Sequence, residues 1–523
     1  MEKIIDQLRA SVAKHPHEVA VNFERGRYRY TTVWRRVEAD AERLSGMGIG
    51  EGDVVAINLP NVPEAVYLLY ACDYVGAIAY FIHPLTPEEQ LAGFLQRSRA
   101  KALFTLLPLA KAIAAHCPKV RVVALNPYQD GNLPMRALAY LRYHDVGDAF
   151  RLSELPRRKA KMSRKSPSDT SIYLNSGGTN GDPKIIMLSS AAVASLACRG
   201  FEIIDIKDER QARMYTVIPL FHGFGLAMGV ATPLCAGGQV TLDIKFHPKK
   251  CIKRMSKGQA SIIIGVPALF NALLSNPGFK GQAVRNLIVC FVGGDSVTKQ
   301  LLDRFDQAVA NEGGRARLFE GYGLTETVTV SNVNTSFACK DGTVGKPLRG
   351  MKEKILDPKT HRELPIGEKG ELAIAGPSLM NGYFEDEELT RKSFVEIEGE
   401  RYVLTRDLAY LDEDGFLHFC SRLRRVAKVN GVMVLPSELE RVALSCKDVY
   451  EAYCFAEEDK KHGQLLSLAV SKNRASNLSE EDIAKRLRSA IEQSLPVYYK
   501  PKRIIFLPKL PRTAVGKVDQ SKF

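Results

Sequence analysis

The chain lacks the features that mark several large classes of protein. Its 10 cysteines are scattered and form no C-x-x-C pair, which argues against a disulfide framework and against a zinc site. It has no run of about 20 uninterrupted apolar residues, which a membrane-spanning helix would need. The nearest candidate, residues 223–238, is broken by glycines and a proline, so we expect it in the core.

The amino terminus has no recognisable targeting segment. The first 18 residues mix charged with apolar side chains and contain neither an apolar signal core nor a small-residue cleavage site. The last three residues, Ser-Lys-Phe, resemble a peroxisomal Ser-Lys-Leu address but lack its leucine. Together with the scattered cysteines, these features predict a cytoplasmic protein.

The composition is that of a soluble globular protein, with 45% apolar and 25% charged residues. A length of 523 residues exceeds one compact core and predicts roughly two to four domains. The net charge of +14 would suit a nucleic acid, an anionic lipid, a polyphosphate or an acidic protein. The basic run at residues 154–167 contains proline and serine but no aromatic residue, which favours a solvated linker. We therefore predict no nucleic-acid partner and no transmembrane segment.

Strand-like and helix-like patterns alternate in the first part of the chain. Residues 53–60, 77–84 and 101–107 are apolar runs typical of strands, and residues 61–76 and 86–100 between them have helical periodicity. This alternation predicts a parallel sheet covered by helices. Further strand candidates lie at residues 169–176, 213–220, 260–267 and 286–294.

The texture of the sequence changes near residue 342, where short strand-like runs separated by turns predict a β-rich subdomain. A charged break at residues 421–425 follows, and about a hundred further residues have their own strand and helix signals. Residues 507–523 contain prolines and a glycine and few apolar anchors. We expect that tail to be a surface loop and terminus.

The stretch NSGGTNGDPK, at residues 175–184, places three glycines, two hydroxyls and a lysine together. Glycine and proline disfavour helix and strand, so it predicts a loop. Clustered backbone amides beside an ammonium group can hold phosphate oxygens, but an ordinary flexible surface turn fits equally well. The loop follows a strand candidate, and ligands bind at the carboxyl ends of strands in open α/β sheets.

Six further segments follow this loop in order: PLFHGFGL (219–226), VGGDSV (292–297), GYGLTETV (321–328), VLTRDLAYLDEDGFLHFCSRLRR (403–425), KVNGVMVLPSELE (428–440) and PRTAVGKVD (511–519). Together they resemble the adenylate-forming (AMP-binding) superfamily, most closely its acyl-CoA synthetases. The resemblance extends from residue 173 to the end of the chain. Any one of these motifs is weakly specific, but six in the same order are strong.

The resemblance implies an α/β fold. It has a large N-terminal domain of two helix-covered sheets plus a small β-rich subdomain, followed by a small mobile α+β C-terminal domain. The expected N-terminal AMP-binding domain spans residues 1–420, with the β-rich part at about 342–420. A hinge at residues 421–424 leads to the C-terminal domain at residues 425–523.

The implied reaction is ATP-dependent activation of an aryl or fatty carboxylic acid. The acid forms an acyl-adenylate with release of pyrophosphate, and the acyl group then passes to a thiol. The implied cofactors are ATP, Mg²⁺ and coenzyme A. Two alternatives stay open: loading of the phosphopantetheine of an acidic carrier protein, and a non-catalytic nucleotide-binding relative.

The resemblance also assigns residues, each by its position in the matching motif. The phosphate loop comprises Ser176, Gly177, Gly178, Thr179, Asn180, Gly181 and Lys184. The remaining nucleotide contacts are Gly294, Asp295, Gly321, Tyr322, Gly323, Asp407 and Arg422. The catalytic residues are Lys517, Thr325, Glu326 and His222, with Glu326 also binding Mg²⁺. The hinge is Arg424, and the thiol entry is Lys428 and Gly431. The acyl pocket is His222, Gly223, Phe224, Met228, Val292 and Gly293.

Several positions depart from the family pattern, namely Asn180, Asp182, Ile185, Arg406 and Arg424. Residues 219–229 contain no acid, so a buried substrate ammonium would lack a partner there, which argues against an α-amino acid. The glycines of this segment either admit an acyl chain or allow close packing. The sequence does not distinguish aromatic from fatty acids.

Overall fold

The computed structural model describes residues 2–126, 133–176, 183–204, 206, 208–459, 463–474, 476–512, 518–519 and 522–523. Six of the predicted site residues lie outside the described residues: Gly177, Gly178, Thr179, Asn180, Gly181 and Lys517. Within the described part, the strands form four sheets.

The first sheet has eight strands among the described residues. Their order is Gly382–Tyr383, Ile185–Ser189, Thr170–Asn175, Ile78–Phe81, Val54–Asn58, Ala102–Leu106, Arg121–Leu125 and Phe150–Arg151. The six from Thr170–Asn175 onward are parallel to one another, Ile185–Ser189 is antiparallel to them, and Gly382–Tyr383 is antiparallel to Ile185–Ser189. The strand Val54–Asn58 is buried along its whole length, as expected for a parallel sheet with both faces covered.

The second sheet has nine strands within the described ranges. Their order is Lys346–Pro347, Asn332–Val333, Leu318–Tyr322, Val289–Val292, Ile262–Gly265, Arg213–Thr216, Gln239–Leu242, Val19–Phe23 and Gly26–Arg29. The strands from Leu318–Tyr322 to Val19–Phe23 are parallel. Their carboxyl ends therefore lie at one edge of the sheet, where ligands bind in this architecture.

The third sheet is antiparallel and forms the β-rich subdomain. It contains Lys352–Leu356, Gly370–Ala375, Glu400–Leu411, Phe394–Ile397 and Leu417–Arg422. The fourth sheet belongs to the C-terminal part. It contains Val432–Val434, Ala427–Val429, Gly463–Lys472, Val449–Asp459 and Ile504–Phe506.

Helices cover the sheets. In the N-terminal part they are Ile4–Lys14, Tyr30–Gly46, Pro63–Val75, Glu88–Arg97, Leu107–His116, Leu133–Arg142, Ser190–Glu202, Phe224–Ala231, Thr232–Cys235, Pro248–Ser256, Pro267–Leu274, Gln282–Arg285, Lys299–Asn311 and Glu387–Lys392. In the C-terminal part they are Pro436–Ser445 and Glu480–Ser494. Short 3₁₀ turns lie at Leu152–Glu154, Glu209–Gln211, Thr325–Thr327, Leu423–Arg425 and Val497–Tyr499. Among the described helices, none has the length and apolar character needed to cross a membrane.

The main core lies between the first two sheets. Side chains from both sheets meet there, such as Ile57 and Leu174 from the first and Val240 and Ile264 from the second. The helix Pro63–Val75 is buried on nearly every residue because it lies in this core. The predicted strands and helices of the alternating region are all present, and the predicted fold class is confirmed.

Candidate active site

The predicted nucleotide contacts meet at the carboxyl edge of the second sheet. Gly293 follows the strand Val289–Val292, and its amide donates to the Gly265 carbonyl at the end of the neighbouring strand, 3.2 Å away. On the other side, a Cβ atom at Gly293 would lie 2.7 Å from the Gly321 carbonyl oxygen. The backbone is therefore too close here for any side chain. Gly294 continues in a left-handed conformation, with φ of 79°, and Asp295 after it is exposed.

Tyr322, Asp407 and Arg422 form one cluster. The Tyr322 hydroxyl donates to Asp407 Oδ2 at 2.5 Å, and Arg422 Nη1 lies 2.9 Å from Asp407 Oδ1. The contact between Arg422 and Asp407 is an ion pair without hydrogen-bond geometry, so Asp407 Oδ1 has no hydrogen-bond partner among the described residues. Burial raises the pKa of Asp407 to about 6, although Arg422 and the Tyr322 hydroxyl both act to lower it. A fully buried carboxylate with a free acceptor is suited to a ribose hydroxyl.

Thr325 and Glu326 lie on a 3₁₀ turn, Thr325–Thr327, that follows the strand bearing Tyr322. The turn ends at Val328, which is buried and has φ of 65°, a rare conformation for a β-branched residue. Such strain persists only where the surroundings enforce it and is common at functional sites. Close packing supplies that constraint, because a Cβ atom at Gly323 would lie 1.5 Å from the Thr329 carbonyl oxygen.

Glu326 can serve as a ligand of a hard cation. Its Oε1 accepts a hydrogen bond from the Tyr383 hydroxyl at 2.9 Å, and no described residue donates to Oε2. Its charge also acts to raise the pKa of Asp407, so the two carboxylates lie near each other. Among the described residues, no group of three or more His, Cys, Asp or Glu side chains could hold a metal ion alone. A magnesium ion would therefore take Glu326 together with phosphate oxygens of the nucleotide, which is the ligand set it prefers.

His222 is exposed and lies on a turn that touches the turn of Glu326. A Cβ atom at Gly223 would lie 1.8 Å from the Val328 carbonyl oxygen, so the two turns meet backbone to backbone. The buried side chain of Asn61 fixes the same turn from the other side. It donates to the Ile218 carbonyl at 3.0 Å and accepts from the Leu220 amide at 3.1 Å. The turn that bears the predicted catalytic His222 is thus packed against the turn that bears the predicted metal ligand.

The glycines after His222 serve close packing. The segment Phe224–Ala231 is a buried π-helix. A Cβ atom at Gly225 would lie 2.3 Å from the carbonyl oxygens of Ile218 and Pro219, and one at Gly229 would lie 2.7 Å from Thr216 Cγ2. Of the two interpretations of these glycines, the structure favours close packing over space for an acyl chain.

The predicted lining of the acyl pocket is only partly brought together. Phe224 and Met228 lie in the core between the two sheets. Val292 packs in a different apolar cluster, with Tyr215 and Phe270. Within the described residues, Val292 is therefore separated from Phe224 and Met228, whereas Gly223 and Gly293 lie at the site edge.

The two ends of the predicted phosphate loop are joined to each other. The Ser176 amide donates to the Lys184 carbonyl at 2.8 Å, and the Lys184 amide donates to Ser176 Oγ at 3.1 Å. Lys184 Nζ lies 3.1 Å from Asp386 Oδ2, at the N-cap of the helix Glu387–Lys392. The ammonium group is half exposed and paired with a carboxylate that a phosphate could replace.

The link to the C-terminal part lies between Arg422 and Arg425, which pair with carboxylates on opposite sides of the link. Arg422 ends the last strand of the third sheet and pairs with Asp407 there. Arg425 Nη2 lies 2.5 Å from Glu440 Oε1, on the helix Pro436–Ser445 of the C-terminal part. Of the predicted hinge, Ser421 and Arg422 are strand residues, so only Leu423 and the exposed Arg424 lie between the two anchors.

The predicted thiol entry is a tight hairpin. Asn430 and Gly431 have φ of 52° and 79°, and they connect the short strands Ala427–Val429 and Val432–Val434. Asn-Gly is the preferred pair for such a turn. A Cβ atom at Gly431 would meet no atom within 4 Å, and Lys428 is exposed. The tip is therefore open to an incoming ligand.

The tail is better anchored than expected. Arg512 pairs with Glu451 and forms an antiparallel bridge with Val518. The ring of Phe523 lies 5.0 Å from that of Tyr453 and 5.2 Å from that of Phe455. The prediction of a tail with few anchors is wrong for these described residues, because an aromatic cluster binds its end.

A separate surface cleft of about 530 Å³ lies at the amino ends of three strands of the second sheet. Its lining includes Arg27, Arg213 and Gln239. None of the predicted site residues contributes to it within the described ranges. The cleft lies at the edge opposite to the strand ends that bear Tyr322 and Gly293.

Sequence comparison now adds to this geometry. The profile of the AMP-binding enzyme family matches residues 8–384, and that of the AMP-binding enzyme C-terminal domain matches residues 438–517. The chain is an AMP-binding enzyme. The predicted superfamily and enzyme class are therefore confirmed.

This AMP-binding enzyme has curated relatives of similar length. It is 28% identical over 499 residues to peroxisomal OPC-8:0-CoA ligase 1 of Arabidopsis thaliana, covering 94% of this chain and 86% of the relative. It is 25% identical over 500 residues to 4-coumarate–CoA ligase 2 of Nicotiana tabacum, covering 94% and 88%. It shares its fold with ATP-bound MatB from Rhodopseudomonas palustris, with a TM-score of 0.86, 23% identity and coverage of 99% and 97%.

Sequence reasoning missed two site residues of the AMP-binding enzyme. Tyr383 donates to Glu326, and Asp386 pairs with Lys184. Both lie in NGYFEDEELT, which resembles an ordinary acidic turn and helix start in the sequence. The local signal in the sequence was the pair Gly382–Tyr383, which forms a short strand in the structure.

Proposed function

We propose that this chain is an ATP-dependent acid–CoA ligase. It joins a carboxylic acid to the α-phosphate of ATP with release of pyrophosphate, and then transfers the acyl group to the thiol of coenzyme A. The observation that carries the proposal is the meeting of three elements at one edge of the second sheet. The Tyr322–Asp407 cluster, the Glu326 turn and the His222 turn lie together there.

Each element supplies what the reaction needs. Asp407, ionised above about pH 6, accepts hydrogen bonds from the ribose hydroxyls, and Tyr322 lies beside the base. Thr325 and Glu326 face the phosphates, and His222 faces the carboxylate of the acid. Holding the two reactants in this geometry replaces a bimolecular encounter by a positioned one.

The main barrier is repulsion between the carboxylate and the triphosphate. Lys184 exchanges Asp386 for a phosphate, and Lys517 approaches from the C-terminal part to bridge the acid and the nucleotide. Preorganised cations of this kind act where negative charge develops in the transition state. A bound Mg²⁺ ion, held by Glu326, supplies further neutralisation of phosphate charge.

The substrate is an aryl or fatty acid rather than an α-amino acid. No acid is present in residues 219–229, and the helix Phe224–Ala231 is buried, so a substrate ammonium would be left unpaired. The two curated relatives described above are named for an OPC-8:0 substrate and for 4-coumarate. Their names support a hydrophobic acid without distinguishing between the two classes.

The test is pyrophosphate release from ATP with a panel of aryl and fatty acids, followed by measurement of free coenzyme A thiol. We expect acid-dependent pyrophosphate release and consumption of one thiol per pyrophosphate. Release without thiol consumption would indicate a carrier protein as acceptor. Absence of release with every acid class would indicate a non-catalytic relative.

Asp407→Asn provides the site control for the same assay. We expect kcat/KM for ATP to fall by roughly tenfold or more, since hydrogen bonds to a charged group are worth about 1.5–3 kcal/mol. The matched control is Asp414→Asn, because Asp414 is an exposed carboxylate next to the same sheet and pairs with Lys340. Equal effects of the two variants would contradict the assigned site.

A further inference from the structure

A short segment, residues 380–386, contacts both the phosphate loop and the turn of Glu326; we call it the bridging segment. The Met380 amide donates to the Glu326 carbonyl at 2.8 Å. The Asn381 amide donates to the Met187 carbonyl at 2.8 Å, on the strand that follows Lys184. Two parts of the proposed nucleotide site are thus attached to one piece of backbone.

Tyr383 extends this attachment to the side chain of Glu326. Its hydroxyl donates to Glu326 Oε1 at 2.9 Å, so the glutamate is held at both its main chain and its carboxylate. In this contact the phenol hydroxyl is the donor and the carboxylate of Glu326 is the acceptor.

The tyrosine is itself well positioned. Tyr383 pairs with Ile186 in the first sheet, and the Tyr383 amide donates to Thr390 Oγ1 at 2.9 Å. A Cβ atom at Gly382 would lie 2.6 Å from Thr390 Cγ2, so the backbone is packed against the helix Glu387–Lys392. The helix begins at Asp386, the partner of Lys184.

A fixed hydrogen bond to one oxygen of a carboxylate restricts the rotation of the whole carboxylate group. With one lone pair of Oε1 taken by the Tyr383 hydroxyl, the carboxylate plane is set before the nucleotide arrives, and Oε2 has no donor among the described residues. A free glutamate would instead lose side-chain entropy on binding, and preorganisation removes that cost.

We propose that Tyr383 is a positioning residue for metal–nucleotide binding, and that it orients the Glu326 carboxylate to bind the Mg²⁺ ion of MgATP. This inference rests on the proposed function. It adds a role for a residue outside the motifs that carry the family resemblance. Asp386, through Lys184, gives the same segment a second contact with the triphosphate site.

The experiment is calorimetric binding of α,β-methylene-ATP with Mg²⁺ and, separately, with excess EDTA. The quantity compared is the ratio of the two affinities, because it reports the metal contribution without turnover. In Tyr383→Phe we expect this ratio to fall by roughly tenfold, the effect of losing a hydrogen bond to a charged group, with the EDTA affinity unchanged. Glu326→Gln should lower the same ratio, and adding Tyr383→Phe to it should have no further effect.

Tyr402→Phe is the matched control. Tyr402 is buried in the adjoining third sheet, and its hydroxyl also lies near a glutamate, 3.4 Å from Glu400 Oε2. We expect its affinity ratio to equal that of the unmodified enzyme. Thr390→Val removes the acceptor of the Tyr383 amide while keeping the phenol, and gives a second test of the same ratio if Tyr383→Phe does not fold.

The outcomes separate the inference from the function. If the unmodified enzyme does not bind the nucleotide, the proposed function fails. If it binds with a clear magnesium effect that the Tyr383 and Thr390 variants leave unchanged, the inference is overturned. Equal losses with Mg²⁺ and with EDTA would also overturn it, because they would indicate a purely structural role.

Discussion

Arg406 occupies a backbone conformation that suits glycine. Its φ is 59°, its side chain is exposed, and its amide donates to Glu371 Oε1 at 3.0 Å. The left-handed conformation costs a residue with a Cβ atom about 1–2 kcal/mol. Arg406 is therefore a source of strain beside Asp407.

At this scale we predict that Arg406→Gly stabilises the protein. The expected gain in free energy of unfolding is roughly 0.5–1 kcal/mol, after the entropy that glycine loses on folding is subtracted. Denaturant midpoints would measure it. Glu396→Gly, at an exposed position of the same sheet with ordinary φ, should instead destabilise; a lower midpoint for Arg406→Gly would contradict the account.

Single residues also mark the limit of sequence reasoning. Tyr322, Glu326, Asp407 and Arg422 could be assigned because each falls within a recognisable motif, and the structure brings them together. Tyr383 could not, because its partner Glu326 is 57 residues away and no local pattern records that contact.

Elements were more predictable than individual contacts. Every apolar run proposed as a strand in the alternating region contains one, since the hydrophobic pattern of a buried parallel strand is nearly continuous. The π-helix Phe224–Ala231 could not be foreseen. Its glycines fit close backbone packing and an open pocket equally well until the neighbouring carbonyl groups are known.

The C-terminal tail is the element that carries the predicted adenylation lysine. Among its described residues, Arg512 pairs with Glu451 and forms a bridge with Val518, directly after Lys517. Lys517 itself lies outside the described residues, and its catalytic role stays a prediction. The contacts of Arg512 and Val518 are consistent with that prediction, because they attach the flanking residues to the C-terminal part.

For this element we predict that Lys517→Ala slows adenylation by at least roughly 10²–10³-fold, the effect of removing one preorganised transition-state donor. Thiolysis of a supplied acyl-adenylate should be retained. Pyrophosphate exchange and thioester formation measure the two steps separately. Lys509→Ala, an exposed lysine of the same tail, should change neither, and equal losses in both steps for Lys517→Ala would refute the assignment.

At the scale of the whole molecule, a buried carboxyl group, that of Glu353, lies where the third sheet meets the second. Neither oxygen of Glu353 has a hydrogen-bond partner among the described residues, although the Asn332 side chain lies near it. Burial raises the pKa of Glu353 from 4.5 to about 7. The folded protein therefore holds a proton that the unfolded chain releases above pH 4.5.

This difference makes stability fall as pH rises. Between about 4.5 and 7 the folded state binds more protons than the unfolded state, so the free energy of unfolding decreases with pH and levels off above about 7. We predict that Glu353→Gln is more stable than the unmodified protein at pH 8, by on the order of 1–3 kcal/mol. The gap should vanish near pH 4.

Denaturant unfolding over this pH range measures the effect as the difference between the two proteins. Glu396→Gln, at an exposed position of the same sheet, should follow the unmodified protein throughout. A constant offset between Glu353→Gln and the unmodified protein at every pH would disprove the titration.

The domain organisation could be predicted only in outline. The change in sequence texture locates the β-rich part and the charged break, but the structure places the first half of the predicted hinge inside a strand. The sequence SRLRR does not show that Arg422 and Arg425 have different partners, because nothing in it distinguishes one arginine from another. Only their partners, Asp407 and Glu440, distinguish them.

The contact of Gly223 with Val328 has a consequence for altering the choice of acid. Because the two turns meet backbone to backbone, a change in the His222 turn, which we propose faces the acid, should also move the Glu326 turn, which we propose faces the triphosphate. Libraries designed to change acid preference should therefore leave residues 223 and 323 untouched. Substitutions are better placed at positions whose side chains point away from this backbone contact, where a change of shape does not disturb nucleotide alignment.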